Sequence, residues 1–160
     1  MSSSLSIVHS PIGPILILGD SAGLCEVRFA DAESALPIAN PNEITERAAK
    51  ELLTYFSGKP FSFSVPLNPA GTPFQKQVWE AVLAIPYGKT SSYLDLSLAL
   101  GDKNLTRAVG SANGKNPLPI FIPCHRIIGS DGSLTGYSGG LSRKKFLLGL
   151  EGSLQQQELF

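Results

Sequence analysis

At Asn68-Pro69-Ala70-Gly71 the hydrophobic pattern of the chain changes period, and this break limits the possible folds more than any other feature. Before it the pattern is that of short strands separated by turn residues. Residues 5–9 and 15–18 flank Ser10-Pro11-Ile12-Gly13-Pro14, which predicts a hairpin. Gly19-Asp20-Ser21-Ala22-Gly23 forms a second turn and leads into a strand over 24–29, with Cys25 in mid-strand. A loop is expected over 30–41. Residues 43–56 then carry an apolar stripe of Ala48, Leu52, Tyr55 and Phe56 at helical spacing, closed by Ser57-Gly58-Lys59-Pro60. Residues 61–65 alternate as a short strand.

After the break the period is helical. Thr72-Pro73-Phe74-Gln75 is a capping box with proline at the first helical position, opening a helix to about residue 85. Phe74, Val78, Trp79, Val82 and Ile85 supply its buried face. Ser92 or Ser91 caps a second helix to about residue 100. Asn104 can cap a third over 105–112, with Gly114 just beyond. Two short helices joined by a glycine-containing turn form a helix-turn-helix pattern. On the third helix Leu105, Ala108, Val109 and Ala112 can face a core, and Arg107, Gly110, Ser111 and Asn113 remain. That face of small residues suits either tight packing on another helix or close approach to a foreign backbone. The expected fold class is α+β, with a small sheet-plus-helix domain over 1–68 and a mainly helical domain over 69–160.

Only two cysteines and two histidines occur in 160 residues, yet Cys124 is followed directly by His125 and Arg126. A thiol attacks only as its thiolate, and a neighbouring imidazole or guanidinium can lower its pKa. The apolar run Ile120-Phe121-Ile122 precedes this group and predicts a buried nucleophile. Cys25 is read as structural. The two cysteines show no CxxC or Cys/His ligand spacing, so neither a disulfide framework nor a metal site is expected.

Hydrophobic residues make up 42% and charged residues 16%, which suits a packed core and not disorder. No apolar stretch approaches a membrane span and Met1-Ser2-Ser3-Ser4 has no basic signal-peptide region, so a reducing, cytoplasmic setting is expected. The zero net charge hides an asymmetry. Residues 1–68 hold four Lys and Arg against seven Asp and Glu, a net −3, while 69–160 hold nine against six, a net +3. The basic surplus lies in the half with Cys124 and fits a modest phosphate-binding surface.

Several stretches closely resemble the O6-alkylguanine-DNA alkyltransferase family. These are Ile85-Pro86-Tyr87-Gly88-Lys89-Thr90, Arg107-Ala108-Val109-Gly110, the run from Asn116-Pro117 through Pro123-Cys124-His125-Arg126-Ile127-Ile128-Gly129, Gly136-Tyr137-Ser138-Gly139-Gly140-Leu141, and Leu147-Leu148-Gly149-Leu150-Glu151-Gly152. They occur in order over 72–152. The first third resembles the family's ribonuclease-H-like domain more loosely.

The resemblance implies single-turnover repair: Cys124 accepts the alkyl group from O6 of guanine, and from O4 of thymine, with no cofactor. It implies that His125 takes the thiol proton through water, that Glu151 orients His125, and that Tyr93 and the Ser138 backbone N–H serve the leaving base. Asn116 resembles a hinge, and Pro119, Ile127, Tyr137 and Ser138 resemble pocket walls. The implied partner is alkylated double-stranded DNA bound by a monomer through the minor groove, with the base flipped out. Arg107, Gly110, Ser111, Asn113 and Arg126 would contact it, Arg107 filling the vacated stack. Asn113 replaces a longer apolar residue of some relatives, and Phe146 a frequent Trp. Two other readings are a non-catalytic binder of alkylated bases on the same fold, which lacks the acceptor cysteine, and a Cys-His hydrolase, whose adjacent residues rarely give the needed geometry.

Overall fold

A computed structural model of the chain describes residues 3–31 and 35–153. It falls into two compact units, Met1–Ala70 and Gly71–Phe160. The α+β class is as expected.

In the first unit, β1 (Ser4–Ser10), β2 (Gly13–Asp20) and β3 (Gly23–Phe29) form an antiparallel sheet in the order β1-β2-β3. The turn between β1 and β2 is tighter than the five residues expected, because Ser10 Oγ donates to the Gly13 carbonyl and accepts from the Ile12 amide. One face buries Val8, Ile15, Ile17, Leu24 and Val27, while Leu5, opposite Leu18, lies on the other. Against the sheet lies α1 (Glu43–Tyr55), entered through a capping box in which Asn42 and Thr45 exchange side-chain and backbone hydrogen bonds. Ala48, Leu52 and Tyr55 are fully buried, as the stripe predicts. Part of the expected 30–41 loop, residues 32–34, lies outside the described residues.

Residues 61–65 are not a strand. The amides of Ser64 and Val65 donate to the Glu51 carboxylate, so no ladder partner is left for them. Phe61 and Phe63 stack edge to face at 5.4 Å, and Phe63 packs 5.4 Å from the Tyr55 ring. Sheet pairing appears two residues later, as an isolated parallel bridge between Leu67 and Leu24.

The second unit opens on α2 (Pro73–Leu83), whose Thr72/Gln75 capping box forms as expected. Next come β4 (Ser91–Ser92), α3 (Tyr93–Ala99) capped by Ser92, a 3₁₀ turn Lys103–Leu105 and α4 (Thr106–Gly114). Asn104 is not a cap. Asp102 accepts from the Asn104 amide, and the 3₁₀ turn feeds straight into α4, which has no side-chain cap. Gly114 is the last residue of the helix and not a stop beyond it. The indole of Trp79 ties α2 to α4 by donating to the Ala112 carbonyl at 2.9 Å. Ala108 is exposed and Asn113 buried, the reverse of the faces assigned from spacing. The 3₁₀ turn Cys124–Arg126 and β5 (Ile127–Ile128) follow, and β5 pairs in parallel with β4. The last element is α5 (Leu141–Leu150), with Glu151 at its C-cap.

Candidate active site

Cys124 begins its 3₁₀ turn at the end of a buried run in which Leu118, Ile120, Phe121 and Ile122 are all core residues. Asn116 builds the turn leading there. Its side-chain oxygen accepts from the Leu118 amide at 2.9 Å and its amide donates to the Ile122 carbonyl at 2.9 Å. Between those two anchors Ile120 has φ 75°. A β-branched residue in the left-handed region is strained by about 1–3 kcal/mol and persists only where its surroundings enforce it. Asn116 is that enforcement.

Burial is the main influence on the thiol, pushing its pKa up to about 11. His125 and Arg126, expected to lower this pKa, are not among the influences on it. The groups that pull its pKa back down are the Asn116 amide and the Lys144 ammonium.

Both basic residues that follow Cys124 in the sequence are engaged elsewhere. His125 Nε2 lies 2.7 Å from Glu151 Oε2, with both side chains wholly buried. Arg126 donates from Nε to Glu151 Oε1 at 2.8 Å, from Nη2 to Oε2 at 3.1 Å and from Nη1 to the Ile85 carbonyl at 2.7 Å. Its guanidinium also sits 5.8 Å from the centre of the Tyr87 ring. Arg126, expected to contact DNA, is therefore buried and committed to Glu151 and the Ile85 carbonyl. Burial pushes the His125 pKa below the usual range despite Glu151, which favours a neutral ring. With Nε2–H donating to Glu151, Nδ1 is the acceptor, and it is buried without a partner. A neutral imidazole so oriented can take a proton from a thiol.

The remaining expected residues are placed as follows. The hydroxyl of Tyr93, at the start of α3, shares a 2.8 Å hydrogen bond with Thr135 Oγ1. The Tyr137 ring meets His125 edge to face at 6.5 Å, and burial raises its pKa well above the usual value, keeping it neutral. Ser138 is exposed on the loop before α5, and Pro119 is buried. Ile127 is fully buried, and its backbone pairs with Ser91. Arg107 and Ser111 are exposed on α4, Gly110 is half-buried, and the buried Asn113 has an unpartnered Oδ1. Among the described residues no group of three or more His, Cys, Asp or Glu could hold a metal ion. None of the described helices is long and apolar enough to cross a membrane.

Residues 73–153 match the 6-O-methylguanine DNA methyltransferase DNA-binding domain, and residues 5–69 match the ribonuclease-like domain of the same enzymes. The chain belongs to the 6-O-methylguanine DNA methyltransferase family. A methylated-DNA–protein-cysteine methyltransferase of Methanosarcina barkeri is 48% identical over 149 residues, covering 91% of this chain and 94% of that protein. The crystal structure of Mycobacterium tuberculosis O6-methylguanine methyltransferase superposes with a TM-score of 0.82 at 41% identity, covering 95% of this chain and 94% of that one. The M. tuberculosis OGT in complex with DNA also gives a TM-score of 0.82, at 43% identity over 92% of this chain and 91% of that one.

Family membership accounts for residues that sequence reasoning quoted as motif without a task. Ile85 and Tyr87 seat Arg126, by a carbonyl and by a ring face. Tyr87 also donates to the Leu150 carbonyl at 3.3 Å, beside Glu151. Thr135 and Lys144 were missed. Lys144 sits in the basic run Arg143-Lys144-Lys145, which reads as a solvated face. The signal that could have found it is its spacing: 144, 147, 148 and 151 lie on one side of a helix, and the other three are buried.

Proposed function

We propose that this chain repairs DNA by direct reversal, moving the alkyl group from O6 of guanine, and from O4 of thymine, to Cys124 once per molecule. The observation that carries this reading is a buried thiol followed by a neutral imidazole with one nitrogen on Glu151 and the other unpartnered.

A thiol raised to about 11 is almost wholly protonated at neutral pH, so attack needs a base at the moment of reaction. The Cys124 proton passes to His125 Nδ1 through water, and the imidazolium formed is stabilised by Glu151 at 2.7 Å. Sγ displaces the alkyl carbon in line. The S–C bond forms as the C–O6 bond breaks, and the electron pair goes to the base. Tyr93 hydrogen-bonds that base, its own hydroxyl being held by Thr135, and the Ser138 backbone N–H meets O6. The product is a thioether that no group at the site can hydrolyse, which makes the reaction single-turnover.

The target atom lies inside the duplex, so the base must be extruded. The exposed side of α4 suits a minor groove. A Cβ at Gly110 would lie 3.8 Å from the Tyr93 ring, an ordinary contact, and at Gly114 it would meet nothing within 4 Å. The protein's own packing therefore does not require these glycines, and close approach to another molecule does. Arg107 fills the vacated stack. In this reading residues 69–160 are the DNA-binding and acceptor domain, 1–68 is the companion domain, and the protein works as a cytoplasmic monomer.

Incubation with a duplex containing O6-methylguanine, followed by intact-mass measurement, should add one methyl group per chain. Binding of the duplex without any mass change would overturn alkyl transfer in favour of lesion binding alone.

A further inference from the structure

Thr135 lies on the loop between β5 and α5, and its backbone is fixed from two sides. The loop begins as a closed turn. The Gly129 amide donates to the Ser133 carbonyl at 2.9 Å, and Asp131 accepts from the Ser133 amide at 3.0 Å and from its hydroxyl at 2.6 Å. A Cβ at Gly129 would lie 2.6 Å from Ser133 Oγ and 2.8 Å from Asp131 Oδ1, so the turn needs a glycine there. Two residues further on, the Lys144 ammonium donates to the Thr135 carbonyl at 2.8 Å. None of these contacts uses the Thr135 side chain. Its hydroxyl instead meets the Tyr93 hydroxyl at 2.8 Å, across 42 positions of sequence.

Among the described residues neither hydroxyl has another hydrogen-bond partner. Each carries one proton and two lone pairs, so in the free protein either can be the donor. An acceptor atom of a flipped base beside the Tyr93 oxygen removes that freedom. A phenol that donates to the base has spent its single proton, and its bond to Thr135 must then be one that it accepts. The two bonds form a chain, in which each polarises and strengthens the other. Threonine suits the tail of such a chain, because its branched side chain is stiff about χ1.

We propose that Thr135 is a positioning residue for the alkyl transfer: its hydroxyl donates to Tyr93 and so sets the Tyr93 hydroxyl to donate to the leaving base. This rests on the reading in which Cys124 takes the alkyl group and Tyr93 serves the base. As the C–O6 bond breaks, the electron pair passes to the base, which becomes a stronger acceptor. The bond from Tyr93 to the base and the bond from Thr135 to Tyr93 then tighten together. No proton leaves either hydroxyl, and the thiol proton goes to His125 as before. Thr135 acts only through Tyr93.

The test compares two alkylations of Cys124 in Cys25→Ser protein. One is methyl transfer from a duplex containing O6-methylguanine, read as the first-order rate at saturating protein. The other is reaction with iodoacetamide, whose iodide leaves without a hydrogen-bond donor. Thr135→Val keeps the shape of the side chain and the carbonyl held by Lys144, and loses only the hydroxyl. It should slow methyl transfer by about three- to tenfold, the worth of one hydrogen bond, and leave the iodoacetamide rate unchanged. Thr135→Ser should recover most of the lost rate. In a Tyr93→Phe background Thr135→Val should cost nothing further. Methyl transfer by folded Thr135→Val as fast as by the parent would overturn the proposal. So would equal slowing of both alkylations, or an undiminished loss in the Tyr93→Phe background. Thr135→Ala gives the same comparison should Thr135→Val not fold. Failure of the underlying reading is seen separately, as absence of methyl transfer to protein with Thr135 and Tyr93 intact, or as Tyr93→Phe transferring at the parent rate.

Discussion

The first unit of the molecule obeys local rules almost throughout, and the second repeatedly departs from them. In the first, α1 is entered through a complete capping box and the buried polar side chains among the described residues are the hydroxyls of Ser6 and Thr45, which bond to each other at 2.9 Å. In the second, α4 has no side-chain cap and Ile120 sits at positive φ, and every buried charge among the described residues is found there: Arg126, Lys144 and Glu151, with His125 beside them. The two cysteines show the same contrast. Cys25 is half-buried, and besides its burial the influences that raise its pKa are the carboxylates Asp20 and Glu26, which oppose a thiolate. Cys124 is buried more deeply, yet the groups around it, Asn116 and Lys144, favour the thiolate. Buried charge costs stability, so its confinement to one unit marks where stability has been given up for chemistry.

The sharpest way to break this contrast is to exchange the two thiols for alcohols. Cys124→Ser should bind a methylated duplex and take no methyl, because an alcohol is hardly ionised by a neighbouring imidazole. Cys25→Ser should transfer as fast as the parent. Transfer of a radiolabelled methyl to Cys124→Ser would place the nucleophile elsewhere.

Next in size are the buried partners. His125→Ala should slow transfer by about 10²–10⁴-fold while duplex affinity stays close to that of the parent. Glu151→Gln should slow it less but cost more stability, since it strips the buried Arg126 of its counter-charge. Breaking such a pair costs about 3–5 kcal/mol. That is a fall of about 6–20 °C in Tm for a chain of this size. Equal melting points for Glu151→Gln and the parent would remove the structural half of that assignment. Acid should act in the same direction as His125→Ala. The folded pKa of His125 lies below its unfolded 6.5, so the unfolded chain binds the proton more readily. Stability is full above 6.5 and declines as pH falls from there through the lower folded pKa, and transfer declines only as that folded pKa is approached.

A smaller effect is expected from the reaction itself. Cys124 is 4% exposed, so a carbon bonded to its sulfur enters a filled interior. Overpacking of this kind costs about 1–3 kcal/mol, and Ile120 stores strain only four residues away. Melting curves of free, methylated and benzylated protein should fall in that order. A midpoint that rises on methylation would mean the site has room prepared for the product.

The smallest change should separate the DNA face from the core. Gly110→Ala should stabilise the protein by about 1 kcal/mol through helix propensity, since its Cβ meets only ordinary contacts. The same substitution should weaken duplex binding. Gain of stability without loss of affinity would move the duplex away from this face of α4.

Local sequence determined the elements whose stability is local. The Thr72 capping box, the α1 stripe and the paired turns of the first unit were readable because caps, helical period and turn residues act within a few positions of themselves. The short strand expected over 61–65 was misread because Glu51, more than ten residues earlier, takes the amides that a ladder would use. At the candidate site, chain adjacency singled out Cys124 and His125, and the motif run Glu151, but not which cation pairs with which anion. Arg126, two positions from Cys124, pairs with Glu151, and Lys144, twenty positions on, is the cation whose charge favours the thiolate. A 3₁₀ turn and the pairing of β4 with β5 set those directions. Ionisation depends on burial and on charges brought near by packing, and neither is written in the spacing of residues along the chain.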